Sequence, residues 1–213
     1  CASDGAEETG TVGRSVTFHL QNPDGRVAAW SFGNNLIVTV EFGKPSNPTF
    51  FDNKFRERLT FSEDGKALTI SGLRLEDAGI YTAKISEAEA LFTFTLHVYR
   101  ELLVPMVMCV ARNCSANNCS YTLRCAVSGS GFGNVSYSWS KGGSPWSREP
   151  ELLVEEQSPH ETLLTCTVKN PVSTRNVTVT SPAALCTGTY HGKTRGWVVE
   201  MGHILLATPP AFP

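Results

Sequence analysis

Short runs in which apolar and polar residues alternate dominate the first half of the chain. Val16, Phe18 and Leu20 take one face of residues 15–20, with Thr17 and His19 on the other. A period of two is the mark of a half-buried strand. Further runs cover residues 27–32, 36–42, 58–62, 67–73, 79–86 and 91–98, divided by turn signals such as Asn22-Pro23-Asp24-Gly25, Asn34-Asn35 and Glu63-Asp64-Gly65. No stretch carries the longer period of an amphipathic helix. Many short strands at this spacing predict a sandwich or a barrel. Residues 121–127, 135–139 and 163–168 continue the pattern in the second half.

Two sets of landmarks decide for sandwiches. Asp77-Ala78-Gly79-Ile80-Tyr81 has the form Asp-x-Gly-x-Tyr, in which an immunoglobulin domain places its tyrosine corner two residues before the second cysteine. That cysteine position holds Ala83. Counting back from the core tryptophan candidate Trp30 puts Leu20 at the first. Apolar packing then replaces the covalent link. The segment between Trp30 and the corner motif is long enough for two additional strands, which predicts a variable-type domain. Arg58 is expected to pair with Asp77 as a structural tie. In the second half, Cys125, Trp139 and Cys166 follow the Cys…Trp…Cys order of the fold, at a short interval that predicts a constant-like domain; Leu164 stands where a corner tyrosine would be. The expected fold class is all-β: two tandem immunoglobulin-like β-sandwiches. Residues 1–99 form a variable-type domain without an inter-sheet disulfide. Residues 100–186 form a constant-like domain with two or three disulfides, and 187–213 are a tail without an assigned structure. The junction 98–105 lacks Gly and Ser, so the last strand of one domain should pass almost directly into the next, giving a semi-rigid rod.

Composition adds the compartment. Six of the seven cysteines lie between Cys109 and Cys186, a framework that implies oxidising surroundings. Cys125 and Cys166 form the inter-sheet pair. Cys119 and Cys186 are then left for a second bridge and Cys109 with Cys114 for a local third, although spacing alone does not fix the pairing. Four sequons agree with secretion: Asn113, Asn118, Asn134 and Asn176 each begin Asn-x-Ser/Thr. Zinc is not expected, because the cysteines lack Cys-x-x-Cys spacing and no histidine is interleaved. Neither a cofactor nor a small-molecule substrate is expected. The five histidines are scattered, Gly-x-Ser-x-Gly is absent, and Gly129-Ser130-Gly131-Phe132-Gly133 precedes no helix and reads as a hairpin loop. A net charge of −2 argues against nucleic acid. Residues 198–207 include Glu200 and His203 and are too short to span a membrane, which takes roughly 20 apolar residues. The expected location is the extracellular side of the cell surface, or secreted if the lack of an anchor is genuine.

These features together resemble the signalling lymphocytic activation molecule (SLAM) family of leukocyte receptors. The resemblance rests on Leu20 and Ala83 in place of cysteines, on the cysteines of the second half, on Asn134-Val135-Ser136-Tyr137-Ser138-Trp139 and on Asn170-Pro171-Val172-Ser173 after the second core cysteine. Phe51-Asp52-Asn53-Lys54-Phe55 followed by Glu57-Arg58-Leu59 is most similar to a GPI-anchored member. The resemblance implies adhesion or co-signalling through the GFCC′C″ sheet of domain 1, docked on a SLAM-family protein of an apposed cell. A different relative is the expected partner, with self-recognition as the alternative and a soluble decoy as a further one; an enzyme is not expected. Strand alternation picks the outward side of that sheet: Ala29 and Ser31, then Ile37, Thr39 and Glu41, then Thr82, Lys84 and Ser86, then Leu91, Thr93 and Thr95, with Glu87 and Glu89 in the loop between the last two strands. All four sequons fall in the second half, which leaves this sheet bare.

Overall fold

A computed structural model describes residues 5–87, 90–115, 118–155 and 163–188. The first sandwich is built from β1 (Ala6–Thr11), β2 (Val16–His19), β3 (Val27–Phe32), β4 (Asn35–Glu41), β5 (Asn47–Phe50), the short helix α1 (Asn53–Arg56), β6 (Leu59–Phe61), β7 (Ala67–Ile70), a 3-10 turn (Leu75–Asp77), β8 (Gly79–Ile85) and β9 (Leu91–Tyr99). A six-stranded sheet runs β1-β9-β8-β3-β4-β5 and faces a three-stranded sheet β2-β7-β6. This is the variable-type arrangement with both additional strands, β4 and β5. β1 adds to β9 in parallel, a strand the hydrophobic pattern did not reveal because Ala6–Thr11 carries no large apolar side chain.

Alternation puts Phe18, Trp30, Tyr81 and Phe94 into the core, all 5% exposed or less. Leu20 and Ala83, at the positions read as vacated by the disulfide, are also buried. The ring that joins the two sheets is Phe18. Its centroid lies 6.1 Å from Trp30, 5.1 Å from Tyr81 and 4.8 Å from Phe94, all three on the larger sheet. Aromatic pairs contribute about 0.5–1.5 kcal/mol each beyond burial, so three of them approach the ~2–4 kcal/mol of a disulfide.

The second sandwich comprises β10 (Met106–Cys114), β11 (Cys119–Ala126), β12 (Ser136–Lys141), β13 (Ser144–Ser147), β14 (Glu151–Glu155), β15 (Leu164–Lys169), β16 (Thr174–Val179) and the helix α2 (Pro182–Thr187). Its sheets run β10-β11-β14 and β13-β12-β15-β16, the constant-like layout. Cys125–Cys166 joins them beside Trp139, which is 1% exposed. The other two bridges differ from expectation. Cys109 pairs with Cys186, and Cys114 with Cys119; Cys119–Cys186 and Cys109–Cys114 do not form. The register explains both outcomes. Antiparallel pairing of β10 with β11 sets Cys114 opposite Cys119. Cys109 lies at the irregularity next to Ala111, and α2, capped by Ser181 Oγ accepting from Ala184 N at 3.1 Å, folds back against β10 and delivers Cys186 to it. The tail read as 187–213 lies outside the described residues beyond Gly188.

Between the sandwiches, residues 100–105 form a short connector without strand or helix, and not an immediate strand-to-strand passage. Asn170, 3% exposed, fastens it. Its amide donates to Arg100 O (2.8 Å) and Phe132 O (3.0 Å), and its Oδ1 accepts from Ser173 N and Ser173 Oγ. Ser173 Oγ in turn accepts from Leu102 N at 2.8 Å. The glycine-rich loop 129–133 is no hairpin, since β11 and β12 lie in different sheets. It abuts the first sandwich: Arg100 N donates to Gly131 O at 2.8 Å. A β-carbon on Gly133 (φ +68°) would lie 2.4 Å from the Tyr99 ring, and one on Gly131 2.8 Å from Leu75. Glycine is what permits this approach.

Candidate functional site: the six-stranded face of domain 1

The outer side of the six-stranded sheet is read off the registers. One row crosses five strands as Leu91, Lys84, Ala29, Thr39 and Thr49. The next row holds Thr93, Thr82, Ser31 and Leu36. Lys84, Leu91 and Glu41 are exposed, while Ala29, Ser31, Thr39, Thr82 and Thr93 are half-buried by their neighbours in the sheet. The rows are therefore shallow: short hydroxyl and methyl side chains between two exposed leucines. Among the described residues neither Lys84 nor Glu41 takes part in an ion pair. Glu87 does, with Arg26 (3.4 Å), and Ser86 Oγ accepts from Val27 N at 3.1 Å, which ties the loop to the sheet. Farther along the same face His97 and Glu7 meet at 2.6 Å.

Ile37 does not belong to this face. Trp30 pairs with Val38 but Ser31 pairs with Leu36, so Ile37 is an extra residue at a bulge. Its carbonyl accepts from Phe51 N and its side chain is fully buried. Leu36, which strict alternation sent inward, is 41% exposed. Two consecutive isoleucine–valine positions, Ile37-Val38, break the period of two and are the only trace of the bulge in the sequence. Thr49 was missed because Pro48 disguises β5 as a loop. Glu89 lies outside the described residues.

The flank of the sheet is fixed by charge. α1 is capped by Asp52, whose Oδ1 accepts from Lys54 N at 2.8 Å. It turns Phe55 into the core, where its ring meets Phe32 at 5.9 Å. Arg58 follows, its guanidinium over the Phe55 ring. Arg58 donates twice to Asp77, at 2.7 and 2.8 Å, and Arg74 N donates to the same carboxylate at 2.8 Å. Burial opposes ionisation of Asp77, but these donors overcome it and hold its carboxyl below the ordinary range. The hydrogen bonds that Arg58 donates to Asp77 raise the Arg58 guanidinium in turn. Tyr81 Oη donates to Asp77 O at 2.8 Å, and burial pushes that phenol up. The pair expected from sequence is thus present, and it is structural.

All four sequon asparagines are exposed on the second sandwich. No cluster of three or more potential metal ligands occurs among the described residues, and no helix there is long and apolar enough to cross a membrane.

No family model matches the chain. Among curated proteins, SLAM family member 5 of Mus musculus is 32% identical over 190 residues, covering 84% of this chain and 55% of the relative. The human T-lymphocyte surface antigen Ly-9 is 32% identical over 213 residues, covering 90% and 31%. The human SLAM family member 7 is 29% identical over 194 residues, covering 85% and 57%. The chain spans about half the length of the first of these. Among solved structures, the CD2-binding domain of CD58 superposes with a TM-score of 0.61 at 18% identity, covering 84% of this chain and 98% of the other. Murine CEACAM1b superposes at 0.64 and 17%, covering 83% and 97%; both likenesses concern the fold alone. With SLAM-family homologues aligned across both sandwiches, the chain belongs to the SLAM family.

Proposed function

We propose that this chain is the recognition part of a leukocyte cell-surface adhesion or co-signalling receptor, and that it binds a SLAM-family protein of an apposed cell through the six-stranded face of domain 1. The observation that carries the reading is the row Leu91, Lys84, Ala29, Thr39 and Thr49. It is flat, short-sided and free of sequons, and it holds a lysine that pairs with no carboxylate among the described residues. Such a surface can be covered at little cost in side-chain entropy, and its charges serve partner choice and on-rate more than affinity. Domain 2, with the sequons Asn113, Asn118, Asn134 and Asn176, is the glycosylated stalk of this reading.

A heterophilic partner is the leading reading, and the exposed cation Lys84 asks for an anion opposite it on whichever protein docks. Binding of the purified chain to a panel of SLAM-family ectodomains, itself included, tests this. Lys84→Glu should weaken binding at least tenfold with an unchanged circular dichroism spectrum. Unchanged binding to every member of the panel overturns the face assignment, and strong self-association in sedimentation overturns the heterophilic choice.

A further inference from the structure

Two of the four sequons share one disulfide. Asn113-Cys114-Ser115 ends β10, Asn118-Cys119-Ser120 opens β11, and Cys114 is bonded to Cys119. The two acceptor segments are braced against each other in the hairpin. Asn113 stands opposite Ser120 and Cys114 opposite Cys119. Ser120 Oγ donates to Asn113 O at 3.4 Å; Ser115 N and Ser115 Oγ donate to Asn118 O at 2.8 and 3.2 Å. Each sequon's hydroxyl is therefore spent on the other sequon's backbone. An acceptor sequon belongs to a surface loop, whereas this hairpin, once bridged, holds both sequons in a paired ladder with their hydroxyls engaged.

The bridge also differs from its neighbours in when it can form. Cys114 and Cys119 are 5 apart in sequence, against 41 for Cys125–Cys166 and 77 for Cys109–Cys186. Closing so short a loop costs little entropy and requires no folded sandwich, so it can occur as soon as both cysteines have emerged. Asn134 lies in an open bend before β12, and Asn176 lies on β16, which pairs only when the sandwich forms. Neither is held by a local bridge.

We propose that Asn113 and Asn118 are conditional glycan acceptors: closure of Cys114–Cys119 shuts both, so their occupancy is set by a race between oxidation and sugar transfer. This rests on the reading of domain 2 as the glycosylated half. In the first reaction the two thiols give up two protons and two electrons to a disulfide oxidant, which becomes a dithiol. In the second, Asn Nδ2 attacks the anomeric carbon of a lipid-linked oligosaccharyl diphosphate. The C–N bond forms, the C–O bond to phosphate breaks, and the lipid diphosphate leaves as the amide proton is lost.

The test uses crossed variants of the full chain secreted from mammalian cells, with occupancy of each sequon read by glycopeptide mass spectrometry. Cys119→Ser removes the bridge and leaves Asn113-Cys114-Ser115 unaltered; Cys114→Ser does the same for Asn118-Cys119-Ser120. Occupancy should rise at least twofold at Asn113 in the first and at Asn118 in the second, with Asn134 and Asn176 unchanged. A pulse of mild thiol reductant during synthesis of the wild-type chain should raise Asn113 and Asn118 together, without any substitution to disturb folding. Unchanged occupancy of both sites in the variants and the pulse overturns the race. Empty Asn134 and Asn176 as well would overturn the glycosylated-stalk reading itself.

Discussion

Replacing Asp77 with asparagine isolates the tie that holds the flank of domain 1. The carboxylate is fully buried and the Arg58 side chain is 12% exposed. Asparagine fits the same space and can still accept one bond, but Arg58 loses its counter-charge in a site that water barely reaches. Breaking a buried pair from one side costs about 3–5 kcal/mol; the residual exposure of Arg58 argues for the lower end, about 3 kcal/mol. That is a large share of the ~5–15 kcal/mol that holds a domain together. Urea unfolding followed by tryptophan fluorescence reads it, because Trp30 reports on domain 1 and Trp139 on domain 2. The pH dependence supplies a second signature. The folded-state carboxyl of Asp77 lies below its ordinary value. Its contribution is therefore complete above pH ~4, the unfolded value, and is lost as pH falls through the depressed folded one. The gap between wild type and Asp77→Asn should be widest near neutrality and narrow below pH ~4. A gap under about 1 kcal/mol at neutrality, or one that persists unchanged into acid, would refute the assignment of Arg58 and Asp77 as a buried tie.

Three further outcomes follow from the geometry. Reduction should destabilise domain 2 by about 4 kcal/mol through Cys125–Cys166 alone and leave the domain 1 transition in place, as separate urea midpoints would show. Asn170→Ala strips partners from Arg100 O, Phe132 O and Ser173 at a buried site. At ~1–3 kcal/mol for each group left unsatisfied, and with partial relaxation, domain 2 should lose about 2–4 kcal/mol; amide exchange should accelerate at Leu102, whose partner Ser173 is no longer held. At the bulge, Ile37→Asp should prevent folding of domain 1, whereas Leu36→Asp should leave its urea midpoint unchanged and reduce partner binding. The reverse result would restore the unbroken alternation.

The sequence made the two sandwiches legible because the fold writes its core with a period of two and marks it with Trp30, Tyr81, Cys125, Trp139 and Cys166. The outward face of the sheet was legible where that period held, on β3, β8 and β9. It failed at the start of β4, where the bulge inverts the faces of Leu36 and Ile37, and on β5, which Pro48 conceals. The disulfide pairing was hidden for a different reason. Which cysteine meets Cys186 depends on α2 returning to β10, a contact between segments remote in sequence that no local pattern records. Phe18 could have been suspected as the inter-sheet plug, being the large aromatic on the strand facing Trp30, but ring contacts are a property of packing and not of alternation.

The Cys109–Cys186 bridge has a mechanical consequence. A pull applied to the chain beyond Gly188 does not travel through β11 to β16. It enters at Cys186, crosses the sulfurs to Cys109 on β10, and runs along that strand into the connector and domain 1. The 77-residue span between the two cysteines is shunted off the load path. With the bridge intact, the length held in that span, roughly 250 Å at ~3.3 Å per residue, is never released. Single-molecule pulling with and without reductant measures that difference directly. Under tension domain 2 is thus a short tether, which hands force to domain 1 without lengthening.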